Sequence, residues 1–393
     1  MSKLRIGMIT REWPPKVYGG AGVHVNNLVH AMRALNGPGS LDLAPDVEVH
    51  CFDGERSDAH GYRLGPELEG LNPAIATLLT DHDIAMNVGE VDLVHSHTWY
   101  ANFAGDLAKR AKSIPHVITA HSLEPLRPWK AEQLGSGYAI SSWIEESSYR
   151  NADAIISVSD GMREDILKTY PFLDPTKVTT IYNGIDCERF APNHVSRFRE
   201  EHSIIGPFGL FVGRITRQKG LAHLLRAWRK VDPGIGLVIA AGNPDEPGVA
   251  HEVEGLIKEL QSTRSNVWWF PSMLAHEDLT ELLTAAELFL CPSIYEPLGI
   301  VNLEAMACEC PVVASAVGGI PEVVVHGVTG DLVPYSSNSD DFESDLADTV
   351  NLLLKDEARR KRYAVAARER VKTQFGWDRI AATTLNLYRS LIH

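Results

Sequence analysis

Short apolar runs alternate with longer amphipathic stretches along this chain, and the pattern is laid down twice. In the first half, residues 4–10, 47–52, 91–95, 117–120, 154–158 and 178–181 read as strands. Stretches 23–35, 101–112 and 142–150 between them repeat apolar positions at helical spacing. The second half begins at Gly209-Leu210-Phe211-Val212-Gly213 and continues through 236–241, 267–270, 288–291 and 311–315, each followed by a helix-length stretch. Strands that are apolar throughout, alternating with helices, predict parallel sheets covered on both faces. The fold class is therefore α/β, with two doubly wound parallel-sheet domains. The expected division is a domain at 1–186, a polar linker at 187–206, a second domain at 207–375 and a terminal helix at 376–393. The turn signal Asn183-Gly184-Ile185-Asp186 marks the first boundary.

Composition narrows the function. The 393 residues suffice for two domains, and 44% hydrophobic with 22% charged residues suits packed cores with a solvated surface. A formal net charge of −14 opposes non-specific nucleic-acid binding, so an anionic ligand would need a local basic cluster. Five cysteines without C-x-x-C spacing argue against a disulfide framework or a zinc site and for a reducing compartment. The strand-like start, without a signal-peptide pattern, and the lack of a long apolar window lead us to expect a cytoplasmic protein with no integral membrane association. Homodimer formation is left open.

In open parallel sheets, ligands meet the carboxyl ends of strands, and the candidate chemistry lies there. After the first strand, Gly19 and Gly20 precede a helix and could let backbone approach an anion, with Lys16 adding a point charge. The dinucleotide fingerprint is not met, because Val25 stands where its third glycine would be. After residues 209–213, Arg214 and Lys219 are the cations best placed for a diphosphate. His121 follows the run 117–120 and is expected to project toward a ligand. His95 and His97 alternate after another strand; they could suggest a metal, but no third ligand is evident from spacing, so His97 is read as lining substrate and His95 as polar packing. Glu296 and Glu304 are expected at the start of a helix and two turns along it, suiting a ligand with hydroxyls at both ends. Glu304 lies among small apolar residues and needs a partner. The pair Gly318-Gly319 is either a backbone clamp or a turn. Asp81-His82-Asp83 resembles a metal-binding D-x-D but sits in a helical stretch and is set aside.

Together these residues resemble the retaining GT-B glycosyltransferases of the glycogen synthase-like family, family 4. The resemblance rests on Lys16 with Gly19-Gly20, His121, Asn183-Gly184-Ile185-Asp186, Arg214 with Lys219, and the Glu296/Glu304 pair, and it spans nearly the whole chain. It implies two Rossmann-like domains facing across a deep cleft, with the terminal helix crossing back to the first. It implies that Arg214 and Lys219 bind the donor diphosphate, that Glu304 binds the ribose hydroxyls, and that Glu296 lies near the sugar. Backbone around Leu298, Gly299, Ile300 and Val301 would contact sugar or phosphate, Gly20 would close over the diphosphate, and His121 would contact the hexose. No metal or other cofactor is implied. Residues 121–135 resemble the short actinobacterial enzymes of the family, which use ADP-glucose or UDP-glucose. Some of these are glycogen synthases and others α-maltose-1-phosphate synthases, so the expected acceptor is glucose 1-phosphate or an α-glucan. Arg127 and Lys130, beside Trp129, are the candidate contacts for an anionic acceptor. Other family members, with lipid, thiol-precursor or small-sugar acceptors, are a second reading, and a nucleotide-sugar-binding regulatory module a third.

Overall fold

The computed structural model describes residues 3–17, 19–35, 45–127, 135–242, 244 and 246–392. The chain divides into two compact units, Met1–Gly184 with Trp377–His393, and Ile185–Gly376. In the first unit, strands β1 (Arg5–Thr10), β2 (Asp46–Phe52), β3 (His60–Tyr62), β4 (Leu93–His97), β5 (His116–Ala120), β6 (Ala154–Ser157) and β7 (Val178–Thr180) form one sheet in the order β3-β2-β1-β4-β5-β6-β7. In the second, β8 (Phe208–Arg214), β9 (Gly236–Gly242), β10 (Val267–Phe270), β11 (Leu288–Cys291), β12 (Val312–Ser315) and β13 (Gly330–Val333) follow the order β10-β9-β8-β11-β12-β13. Every strand pairing in both sheets is parallel. Both sheets are doubly wound, the α/β class that the alternation predicts. In each, the strand order reverses beside its first strand, between β1 and β4 and between β8 and β11, and ligand loops diverge at such a point.

The first sheet is buried on both faces because side chains alternate along each strand. Ile6 and Met8 of β1 face Val25, Leu28 and Met32 of the helix Gly20–Ala34, together with Ile380, Leu385 and Tyr388 of the helix Trp377–Leu391. Ile9, one position out of phase, faces Ala101, Ala104 and Ala108 of the helix Trp99–Lys112. The helix Trp377–Leu391 buries Ile380, Ala381, Thr384, Leu385 and Tyr388, one stripe at helical spacing. Each large apolar side chain in that stripe contributes roughly 1.5–3 kcal/mol. The second sheet is covered in the same way, with Leu224, Val253, Leu346 and Val350 from three helices against Phe211, Leu237 and Leu290.

Three details differ from the sequence reading. Residues 187–206, read as a linker, lie in the second unit and contain the helix Arg197–Glu201. Glu281 caps that helix, accepting from the N–H groups of Phe198 (3.0 Å) and Arg199 (2.9 Å). The short edge strand β3 was not foreseen, because His60-Gly61-Tyr62 carries no apolar run. β4 runs two residues further than expected, so His97 is a strand residue on the same face as His95 and does not follow the strand. Polar side chains are tolerated there because they find partners: Thr119 and Tyr388 serve His95. Among the described residues no helix is long and apolar enough to cross a membrane.

Candidate active site

In the second unit the loops after β8, β11 and β12, which are neighbours in the sheet, are stitched together. The Ile294 N–H donates to the Gln218 carbonyl at 2.9 Å, and the Gly319 N–H to the Glu296 carbonyl at 3.0 Å. Gly220 and Gly318 make these approaches possible. Both have positive φ (66° and 51°), and a Cβ on either would sit 2.0 Å from a backbone oxygen, that of Pro292 or of Glu296. The Gly318-Gly319 pair is thus a clamp on the protein's own backbone at Glu296. A Gly318→Ala variant should lose more than about 2 kcal/mol of stability, from backbone strain and displacement of the Glu296 loop. Thermal unfolding that matches the parent protein would contradict this.

Lys219 leaves the turn after β8, held by Thr216, and its Nζ lies 2.6 Å from Glu296 Oε2. Ser293 Oγ donates to the same oxygen at 3.2 Å. Burial opposes the Lys219 charge, but Glu296 more than offsets it, and the ammonium stands above its ordinary value. Arg214, the last residue of β8, is half-buried and near enough to Lys219 for their charges to repel. The neighbouring cation Arg217 turns outward to Glu246, at 3.1 Å. The structure therefore brings Arg214, Lys219 and Glu296 together and leaves Arg217 aside.

The Glu pair is placed differently from the sequence reading. Glu296 precedes the helix Ile300–Ala307, in a loop that ends at Gly299 with φ 95°, and Glu304 is about one turn along the helix. Leu298 is buried under this loop. The first backbone N–H groups of the helix, at Ile300 and Val301, have no carbonyl a turn earlier within it. Glu304 was expected to have a partner, yet among the described residues none is hydrogen-bonded or ion-paired to its carboxylate. Burial raises its pKa to about 7, with Arg189 and Lys219 pulling the other way. A half-buried carboxyl with unused acceptor capacity is suited to ligand hydroxyls.

In the first unit, the Gly19 N–H donates to Glu12 Oε2 at 2.8 Å. A Cβ on Gly22 would meet Glu12 Cβ at 2.6 Å, so buried Glu12 supports the glycine loop from beneath. Gly20 opens the helix Gly20–Ala34. Lys16 Nζ donates to the Asp53 carbonyl at 3.0 Å. One turn into that helix, His24 meets His97 and His121, with ring centroids 5.6 Å and 4.9 Å away. His97 Nδ1 lies 3.0 Å from His121 Nε2. Burial lowers the pKa of all three, His24 to about 4 and the others well below the ordinary histidine value, so the rings are neutral at physiological pH.

Arg127 pairs with Glu124, which is buried and also accepts from Ser141 Oγ at 3.0 Å. Glu145 lies beneath, and burial together with Glu124 pushes it up to about 8. The Arg127 Nε is buried without a partner, so part of the guanidinium is uncommitted. Lys130 and Trp129 lie outside the described residues. Asp81 of the set-aside D-x-D is buried in the helix Pro73–Asn87, and burial raises its pKa well above the ordinary value. Sequence reasoning missed Glu12, His24, Arg189 and Asn302. Asn302, next to the Gly299 turn, is fully buried, with its amide against the Cys291 thiol. A carboxylate just before the glycine loop was the one available signal, for Glu12.

Comparison with known proteins bears on both units. Residues 18–189 match the family described as Glycosyltransferase Family 4, and residues 196–370 that described as Glycosyl transferases group 1. The α-maltose-1-phosphate synthase of Mycolicibacterium smegmatis is 48% identical over 397 residues, covering 99% of this chain and 100% of that protein. The α-maltose-1-phosphate synthase of Mycobacterium tuberculosis is 48% identical over 394 residues, with 99% and 100% covered. Among solved structures, sucrose-phosphate synthase from Thermosynechococcus elongatus superposes with a TM-score of 0.80 at 25% identity, covering 99% of each chain.

Proposed function

The chain belongs to the family 4 glycosyltransferases, and from that premise we propose that it transfers glucose from a nucleoside diphosphate glucose, ADP-glucose first among them, to glucose 1-phosphate, forming maltose 1-phosphate for α-glucan synthesis. The observation that carries this reading is 48% identity across essentially the whole chain to α-maltose-1-phosphate synthases. The side chains supply the required chemistry. In the second unit Glu304 accepts from the ribose hydroxyls, and Arg214 with Lys219 receives the diphosphate. As the bond to the anomeric carbon breaks, negative charge grows on the departing phosphate, and two fixed cations stabilise it most at that moment. The Ile300 and Val301 amides add a helix N-terminus to the same task. Glu296 holds Lys219 in place and lies near the sugar. In the first unit neutral His121 hydrogen-bonds a hexose hydroxyl, with His97 behind it. The acceptor hydroxyl arrives on the face that the diphosphate leaves, so configuration is retained, and the departing phosphate oxygen takes its proton. The transfer calls on no metal ion. Arg127 and Lys130 are the proposed contacts for the acceptor phosphate.

The test offers ADP-glucose or UDP-glucose with glucose 1-phosphate, and separately with glycogen. A phosphorylated disaccharide, formed faster from ADP-glucose, is the expected product. Elongation of glycogen with no disaccharide phosphate would overturn the acceptor assignment.

A further inference from the structure

His24, His97 and His121 come from a helix, a strand and a loop of the first unit, and one nitrogen of each lies within 4.8 Å of the others. The proposed transfer needs His121 and gives His24 no part. His24 is fully buried and its hydrogen-bonding neighbour is the Asn183 side chain, but neither ring nitrogen nor Asn183 Oδ1 reaches full hydrogen-bond geometry. Buried polar atoms are rarely left so loosely paired, and a cluster of this kind can take a ligand that completes it. The ring orientations fit this. Met8 Sδ lies 3.1 Å from His97 Nε2, and a thioether can only accept, so that nitrogen carries the hydrogen. Nδ1 of His97 therefore presents its lone pair to His121 and the cluster. A histidine that binds a metal through one nitrogen commonly donates from the other in this way.

We propose that His24, His97 and His121 form a binding site for a divalent transition-metal ion of the zinc class, with Asn183 Oδ1 or a water as fourth ligand, and that ion binding withdraws His121 from the sugar. Imidazole nitrogens about 2.0–2.1 Å from a tetrahedral zinc lie roughly 3.4 Å apart. The 3.0 Å between His97 and His121, and the 4.8 Å limit for the set, are small ring rotations from that spacing. Three imidazoles suit zinc, cobalt or nickel, whereas magnesium demands oxygen ligands. His24 and His97 are buried and His121 only partly so, which leaves an approach along the His121 ring. Ion binding here would inhibit, since the transfer draws its positive charge from Arg214 and Lys219. That consequence rests on the role proposed for His121; the site itself does not.

The experiment titrates the full chain with Co²⁺, reading the intense visible bands of tetrahedral cobalt, followed by displacement with Zn²⁺ and a parallel Mg²⁺ titration. About one equivalent of cobalt should give the bands, zinc should abolish them, and magnesium should do nothing. His24→Gln and, separately, His121→Gln should each weaken cobalt binding by at least about tenfold. Glutamine keeps a hydrogen-bonding group toward Asn183, so the His24 variant should stay folded, as circular dichroism will check. No bands in the parent protein, or bands unchanged in both variants, would overturn the site. Transfer activity should fall in step with occupancy. Full transfer by the cobalt-loaded protein would overturn the inhibition and the role of His121, but not the site; a protein that transfers no glucose would still report on the site through its bands.

Discussion

Replacing Glu304 with glutamine should raise the melting temperature above pH 7 and, in the same variant, weaken the hold on the nucleotide sugar. Burial displaces this carboxyl from 4.5 to about 7. Between those values the folded chain keeps a proton that the unfolded chain has lost, so the group favours folding at low pH. That advantage disappears as pH rises through about 7, and beyond it the buried charge forfeits up to about 3 kcal/mol. Glutamine has the same shape and no charge, so the variant gains on the parent as pH rises and matches it near pH 4. Binding runs the other way. A carboxylate accepts from two ribose hydroxyls, whereas an amide offers one acceptor and a misplaced donor. Hydrogen bonds to charged groups are worth about 1.5–3 kcal/mol, roughly ten- to hundredfold in Kd. In the parent protein, donor affinity should therefore decline as pH falls through about 7. Calorimetric melting across this range, with donor titration at its alkaline end, checks both effects. A melting difference independent of pH would contradict the burial argument, and unchanged donor affinity the ribose role.

A Lys219→Ala variant should lose about 10²–10³ in transfer rate, the scale seen when one preorganised stabilising group is removed. It should also unfold more easily, because Glu296 would be left buried with Ser293 as its remaining donor. Breaking a buried ion pair from one side costs about 3–5 kcal/mol. The two losses separate in the double variant Lys219→Ala/Glu296→Gln, which removes the stranded charge along with its cation. Stability should largely return while transfer stays low. Recovery of both would mean that Lys219 serves the fold and not the leaving group.

Much of this site was legible in the sequence. Apolar runs ending in Gly213-Arg214 and Cys291-Pro292-Ser293 placed the cations and Glu296 at strand ends, since a fully buried parallel strand leaves little else to read. Glu296 was taken as the start of the helix, whereas residues 296–299 form a loop that the left-handed Gly299 closes, so Glu304 is one turn along and not two. His24 was invisible for a different reason. It is a polar residue one turn into an amphipathic helix, and it meets His97 and His121 through the packing of that helix on β1 and the pairing of β1, β4 and β5. Such contacts follow from tertiary order and leave no local spacing. His97 itself was read as following its strand because polar residues were taken to end β4, whereas partners inside the sheet let the strand continue through them.

The helix Trp377–Leu391 has a consequence for the order of events during synthesis. The second unit is one uninterrupted stretch, whereas the first unit takes its last helix from chain made after the second unit is finished. Until that helix arrives, Met8, Val25, Leu28 and Met32 lack the cover of Ile380, Leu385 and Tyr388. The ribosome therefore delivers a second unit able to close before the first is complete, the reverse of the usual progression from the amino end. For that interval the nascent first unit presents an apolar face, a natural target for a chaperone that binds such surfaces.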